Sequence, residues 1–391
     1  MRPTKRHGRL LGLVALAAAI LLLQGCGMFS WLGGEKDPRP PTKLDKKAVP
    51  QSGLRVIWKT KIGKGSDKRS LALVPAVGPG RVYAADARGR VMALASSDGR
   101  EVWRRDTKLP FSGGPVVAGE RLIIGSSDGD LLALSSRDGA QRWRIQLGSE
   151  VLSVPRVIDD LVVVHTVDDN VFGIDINDGS QRWRYVHPAP ILTLHGSSTP
   201  VPAGEGVIVG ISGGRLVYLD TEQGAPFWEV VVTRPSGRTE LDRIADVDAD
   251  PVVVGEIVYV ASFNGDLAAI DLLTGTILWR RELSAHAGIA ATPEALYVTD
   301  SDDNLWAADI ADGAGRWKQD ALLYRRVTAP AVLGNRLIVG DLDGWLHLVD
   351  RSDGRILGRV RVAKSPIHHT PVIENGVVYV YAADGTLAAL R

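Results

Sequence analysis

The chain has 391 residues, 45% of them hydrophobic and 23% charged, an ordinary globular composition with apolar material for a large core. Its 46 basic and 45 acidic residues nearly cancel, which excludes a strong global field for nucleic acid. A single cysteine excludes an internal disulfide and a four-cysteine metal site.

Residues 1–25 carry Arg2, Lys5, Arg6 and Arg9 but no acid, and Leu10 to Leu23 are unbroken apolar or glycine. A basic head followed by 14 such residues reads as a secretory signal. It is short of the roughly 20 residues that a membrane-spanning helix needs. The stretch closes on Leu23-Gln24-Gly25-Cys26, which resembles a bacterial lipobox with an unusual Gln24. Cys26 is therefore the expected lipidation site. Each buried methylene contributes about 0.8 kcal/mol, and the three chains that the resemblance implies make the anchor effectively permanent. Gly27 stands where an inner-membrane retention signal would place Asp, so the resemblance implies the outer membrane of a Gram-negative cell. Residues 26–52, with Pro38, Pro40, Pro41 and Pro50, read as an extended linker.

From residue 53 to 391 one motif recurs. Pro75, Pro115 and Pro155 are each followed 28 residues later by Trp103, Trp143 and Trp183. The series continues with Pro200 and Trp228, Pro251 and Trp279, and Pro293 and Trp317. Pro330 begins a seventh unit with Leu357 in the Trp slot, and Pro371 an eighth that stops at Arg391. Within a unit two turn glycines lie ten residues apart, as at Gly89 and Gly99 or Gly129 and Gly139, most of them in Asp-Gly or Asn-Gly settings that favour tight hairpins. Alternating or wholly apolar β-formers separate them. Each unit thus reads as a four-stranded meander, with strand A after the Pro, B and C either side of the first turn, and D carrying the Trp. A four-strand repeat of 40 residues predicts an all-β, eight-bladed propeller. Leu54 to Trp58 is an orphan strand with a Trp and fits the D strand missing from the eighth unit, closing the ring. The repeated Trp residues are expected to pack blade on blade, and the Asp-Gly turns to be turns rather than calcium loops.

The repeat varies in its D-to-A connections. From the Trp slot to the next Pro the chain advances 12 residues after Trp103 and Trp143, 17 after Trp183 and 23 after Trp228. D-to-A and B-to-C loops of a meander emerge on one face, so loops 185–199 and 229–250 are expected to build up one sector of it. Aliphatics such as Leu192, Leu194, Leu241 and Ile244, flanked by acids and Arg243, suit a protein interface. They equally suit a small cluster tucked beneath the loops.

The repeat also resembles the quinoprotein propeller, which raises a quinone-dependent dehydrogenase as an alternative. Such an enzyme needs a calcium site, a base and, in the alcohol dehydrogenases, a cysteine pair. The eight His residues show no ligand spacing, His368 and His369 being neighbours on a strand-like segment, and no Gly-x-Ser-x-Gly or phosphate loop occurs. No catalytic residue, metal or cofactor is expected. A ligand in the central funnel is a third possibility that the repeat leaves open.

Lipobox, Pro-rich linker and eight such blades together resemble the BamB family, the lipoprotein subunit of the outer-membrane β-barrel assembly machinery. The most specific pieces are Gly237 to Asp248 and Leu192-Thr193-Leu194-His195-Gly196. The resemblance implies that these loops engage periplasmic domains of the central BamA-type barrel subunit. It implies contacts from Leu192, Leu194, Asp246 and Asp248, with Arg243 alongside and His195 where the family commonly has Arg. A His there is charged only part of the time at neutral pH. It further implies a periplasm-facing location, other assembly lipoproteins as neighbours, and unfolded barrel proteins as clients, for which exposed strand edges offer a pairing surface.

Overall fold

The computed structural model describes residues 38–44, 53–67, 69–188, 196–234, 239, 244–285 and 287–391. The chain divides into two compact units, Met1–Pro41 and Thr42–Arg391. Of the first only Pro38–Pro41 is described, as exposed chain without regular structure. The second is all-β among the described residues and forms eight antiparallel sheets, one per blade of a propeller.

Blade one runs Ala76–Gly78, Arg81–Ala85, Arg90–Ala95 and Glu101–Asp106 as strands A to D. Strands B and C are the core, as in Arg90–Ala95 with its central four residues buried, whereas strand D is mostly exposed. The last blade joins Val372–Glu374, Val377–Tyr381 and Thr386–Leu390 to the N-terminal strand Val56–Lys61. That strand pairs antiparallel with Thr386–Leu390, setting Trp58 opposite Ala389, so the expected ring closure is present. Arg55 and Arg391 exchange backbone hydrogen bonds of 2.6 and 2.9 Å where other blades have a covalent C-to-D turn.

Each repeat Trp is a peg between blades. Trp58 donates its indole N–H to Ser96 O at 2.9 Å, and its ring covers Gly99 of the next blade's C-to-D turn. Gly99 has φ +69°, and a Cβ there would lie 2.5 Å from the ring, so only glycine fits. The same stack recurs from Trp103 on Gly139 to Trp317 on Gly354. Most of the indoles also bond a carbonyl of the next blade, as Trp143 does to Ile176 O at 2.9 Å.

Three details depart from the repeat as read. In blade six strand A is Ile289–Ala291, so Pro293 falls in the A-to-B turn rather than before strand A. In blade seven the residue in Trp register is Gly358, opposite Leu348, not Leu357. The neighbouring C-to-D position there is the chain break, which offers no turn glycine to stack on. Leu54 and Leu357 instead pack on the core shared by blades seven and eight. Finally, Ala72–Leu73 adds a fifth strand, parallel to Phe111–Ala118 of blade two. His368 and His369 lie in a D-to-A connection rather than a strand, and His369 Nε2 donates to Leu71 O.

Candidate partner-binding face

The two faces of the ring are defined by which turns bond each other. The residue after strand D donates to the glycine carbonyl of its own B-to-C turn: Thr107 to Gly89 at 2.8 Å, Leu147 to Gly129 at 2.8 Å, Val362 to Gly344 at 2.8 Å. D-to-A and B-to-C connections therefore share one face. The A-to-B and C-to-D turns share the other, as Ser96 N bonded to Gly80 O illustrates.

The two long connections converge on the first face. Their starts are linked by Glu229, which accepts Tyr185 Oη at 3.1 Å and Arg215 Nη1 at 2.6 Å. Burial and the Glu229 charge push the Tyr185 hydroxyl up to about 12, so it remains a donor. Their ends are joined by Thr199 N donating to Asp250 Oδ1 at 2.7 Å. Between these points Gly196 lies against the Asp248 carboxylate, where a Cβ would come within 2.4 Å of Cγ.

The descending half of the second loop is a buried seam between blades four and five. Ala245, Val247 and Ala249 are all at most 2% exposed, and Val247 packs in the core of those two blades. Asp246 is equally buried at 2%. Its Oδ1 accepts Gly213 N at 3.0 Å from the B-to-C turn of blade four, and its carbonyl accepts Phe263 N at 3.0 Å from that of blade five. Asn264 Nδ2 adds a bond to Ile244 O at 3.2 Å. Asp246 thus ties three connections together in the free chain, while Asp248 is half-buried beside Gly196. Cys26, Leu192, Leu194, His195 and Arg243 lie outside the described residues.

The first loop is footed on blade three. His165, 2% exposed, donates from Nδ1 to Ser198 O at 3.0 Å, and its Nε2 is 3.5 Å from Asp169 Oδ1. Burial would raise the Asp169 carboxyl, but His165 and Ser212 outweigh it and hold it below the usual range. These footings escaped sequence reading because His165 and Asp169 resemble any strand-end and turn residue. Beside the second loop, Thr233 Oγ1 bonds Asp266 N at 3.0 Å at the edge of a cleft of about 760 Å³. Arg234, Arg280, Glu282 and Asp302 give that cleft mixed charge.

An eight-bladed ring with Trp pegs and two long connections on one face defines a quinoprotein-type propeller. A family profile described as outer membrane protein assembly factor BamB matches residues 48–139, 87–319 and 324–391. Outer membrane protein assembly factor BamB of Alkalilimnicola ehrlichii is 51% identical over 97% of this chain and 96% of its own length. That of Pseudomonas aeruginosa is 45% identical over 96% and 97%. The crystal structure of BamB from Moraxella catarrhalis superposes with a TM-score of 0.79 at 29% identity, covering 86% of this chain and 99% of that one. The chain belongs to the BamB family. A quinohemoprotein alcohol dehydrogenase from Pseudomonas putida superposes with a TM-score of 0.72 over 86% of this chain and 76% of its own, at 14% identity, a likeness of fold alone.

Proposed function

We propose that the chain is a non-catalytic scaffold of outer-membrane protein assembly. A lipid on Cys26 anchors it to the outer membrane, facing the periplasm, and its D-to-A face binds periplasmic domains of the central barrel subunit. The observation that carries this reading is the convergence of both long loops on one face of a BamB-family propeller, tied by Asp246, Asp250 and Glu229. Leu192 and Leu194 supply apolar contact, with Arg243, His195 and Asp248 on its rim. Asp246 acts through the loop it holds and is a positioning residue. Other assembly lipoproteins and unfolded barrel clients complete the proposed partner set.

Among the described residues no group of three or more His, Cys, Asp or Glu side chains is placed to hold a metal ion. The scaffold reading is tested by pull-down from detergent-solubilised membranes. The barrel subunit co-purifies with the native chain and is lost from a folded Leu192→Ala, Leu194→Ala double variant. Undiminished recovery with that variant refutes the site assignment. Cys26→Ser moves the chain from the membrane to the soluble periplasmic fraction if the anchor is as proposed.

A further inference from the structure

Arg325 stands in the D-to-A connection between blades six and seven and is 3% exposed. Its neighbours Tyr324 and Arg326 have φ of 57° and 51°, left-handed values that non-glycine residues hold only when their surroundings enforce them. The enforcement is visible in its bonds. Arg325 Nε and Nη2 donate to Asp341 Oδ2 at 2.9 and 2.8 Å, and Nη2 also reaches Asp343 Oδ2 at 2.6 Å. Asp341 is fully buried and further accepts His347 Nε2 at 2.9 Å and the amides of Asp343 and Trp345.

This mount leaves Nη1 to point away from the carboxylates, and it donates to Thr42 O at 2.8 Å. Thr42 N in turn donates to Leu323 O at 3.0 Å, so Thr42 is paired on both sides with one connection. Leu44 packs on the core of blades six and seven, among residues that include Leu322 and Val327. A buried guanidinium needs its donors satisfied, and here a main-chain carbonyl some 280 residues away in sequence completes it.

We infer that Thr42-Lys43-Leu44 is a docked strap, with Arg325 as its peg, and that it fixes the face of the propeller from which the preceding chain departs. The first strand, Val56–Lys61, begins at the chain break on the C-to-D side of the ring. Left undocked, the preceding chain would leave from that side. The strap instead brings the chain to a D-to-A connection, on the face that carries both long loops. Thr42 lies sixteen positions after Cys26, a reach of at most about 55 Å. On the anchoring reading above, the tether to the lipid is therefore attached to the propeller at the loop face.

The test is a disulfide in the full chain, with Cys26 either native or replaced by Ser. A main-chain N–H···O pair holds two Cα atoms within the range that a disulfide spans. Thr42→Cys with Leu323→Cys crosslinks on mild oxidation and migrates faster on a non-reducing gel. Thr42→Cys with Ser352→Cys, the latter in the C-to-D turn of blade seven, does not. Adding Leu44→Asp to the first pair lowers its crosslinking several-fold while the melting temperature of the reduced protein stays unchanged. Equal crosslinking by the two pairs, none by the first in a chain of native melting temperature, or indifference to Leu44→Asp overturns the proposal. The crosslink needs neither acylation nor a bound partner, so its failure is distinct from failure of the anchoring or scaffold reading.

Discussion

Replacing Trp58 by Ala is expected to open the ring at its noncovalent seam. The indole is 7% exposed, stacks on Gly99, donates to Ser96 O at 2.9 Å and lies 6.2 Å from the Tyr379 ring. A Trp buries about 150–250 Å², and truncating one to Ala in a core costs roughly 3–5 kcal/mol. The carbonyl left without its indole donor contributes about 1 kcal/mol of that loss. Trp143, also 7% exposed and bonded to Ile176 O, is the matched control in a blade whose strands C and D are covalently joined. Both variants should lose similar stability by urea denaturation. They should differ in hydrogen exchange. In Trp58→Ala, amides of Val56–Lys61 and Thr386–Leu390 exchange faster than the rest of the propeller, because the strand can detach without breaking a turn. In Trp143→Ala that segment keeps its protection relative to its neighbours. Equal acceleration of the seam in both variants refutes the argument that strand pairing and one indole close the ring.

Gly196→Ala should weaken recovery of the barrel subunit several-fold with little change in urea midpoint, since the new Cβ meets Asp248 within 2.4 Å of Cγ at the loop face only. Asp246→Ala should lower recovery through the orphaned Gly213 amide, at about 1–3 kcal/mol, whereas Asp246→Asn, which keeps an acceptor, should restore much of it. Burial holds the His369 imidazole down at about 4, against about 6.5 in an unfolded chain. Between those values the unfolded chain takes up a proton that the folded one refuses, so stability falls as pH falls from 6.5 to 4. His369→Gln should flatten that slope, by on the order of 1–3 kcal/mol in urea titrations across the window. Asp341 is depressed despite burial, because His347, the Trp345 amide and Arg325 outweigh it. Its contribution is present above about pH 4, the unfolded value, and is lost as pH falls through the lower folded one. The stability gap between the native chain and Asp341→Asn should therefore narrow below pH 4.

Strands, turns and pegs were legible because each depends on local pattern. Alternation sets the strands, Asp-Gly sets the hairpins, and a Trp four residues past a turn glycine sets the blade contact. The same pattern located the seam, since Trp58 carried the residue that the last unit lacked. Where local pattern was equivocal, the reading slipped by a few residues. Pro293 marks an A-to-B turn instead of a strand start, and in blade seven the Trp register falls on Gly358, which has no side chain to mark the slot. Other features had no local signal at all. Ala72–Leu73 is too short to read as a strand and pairs only because it runs beside Gly113 and Gly114. Thr42 looks like any linker residue until Arg325 reaches it. Asp246 and Asp248 are two residues apart in one acidic loop. Only the fold makes the first a buried acceptor for Gly213 and leaves the second half-buried beside Gly196.

The split of the eighth blade between the two ends of the polypeptide also sets a condition on synthesis. Val56–Lys61 is made first and its partner, Thr386–Leu390, last. Through nearly all of translation the N-terminal strand has no sheet to join, and the growing row of blades remains an open arc. A product terminated before Thr386 carries seven finished blades yet cannot close, and it exposes the edge of Val377–Tyr381 while Val56–Lys61 has no strand to pair with. Closure thus waits on Thr386–Leu390, and a premature fragment presents an unpaired strand edge, a template for pairing with other chains.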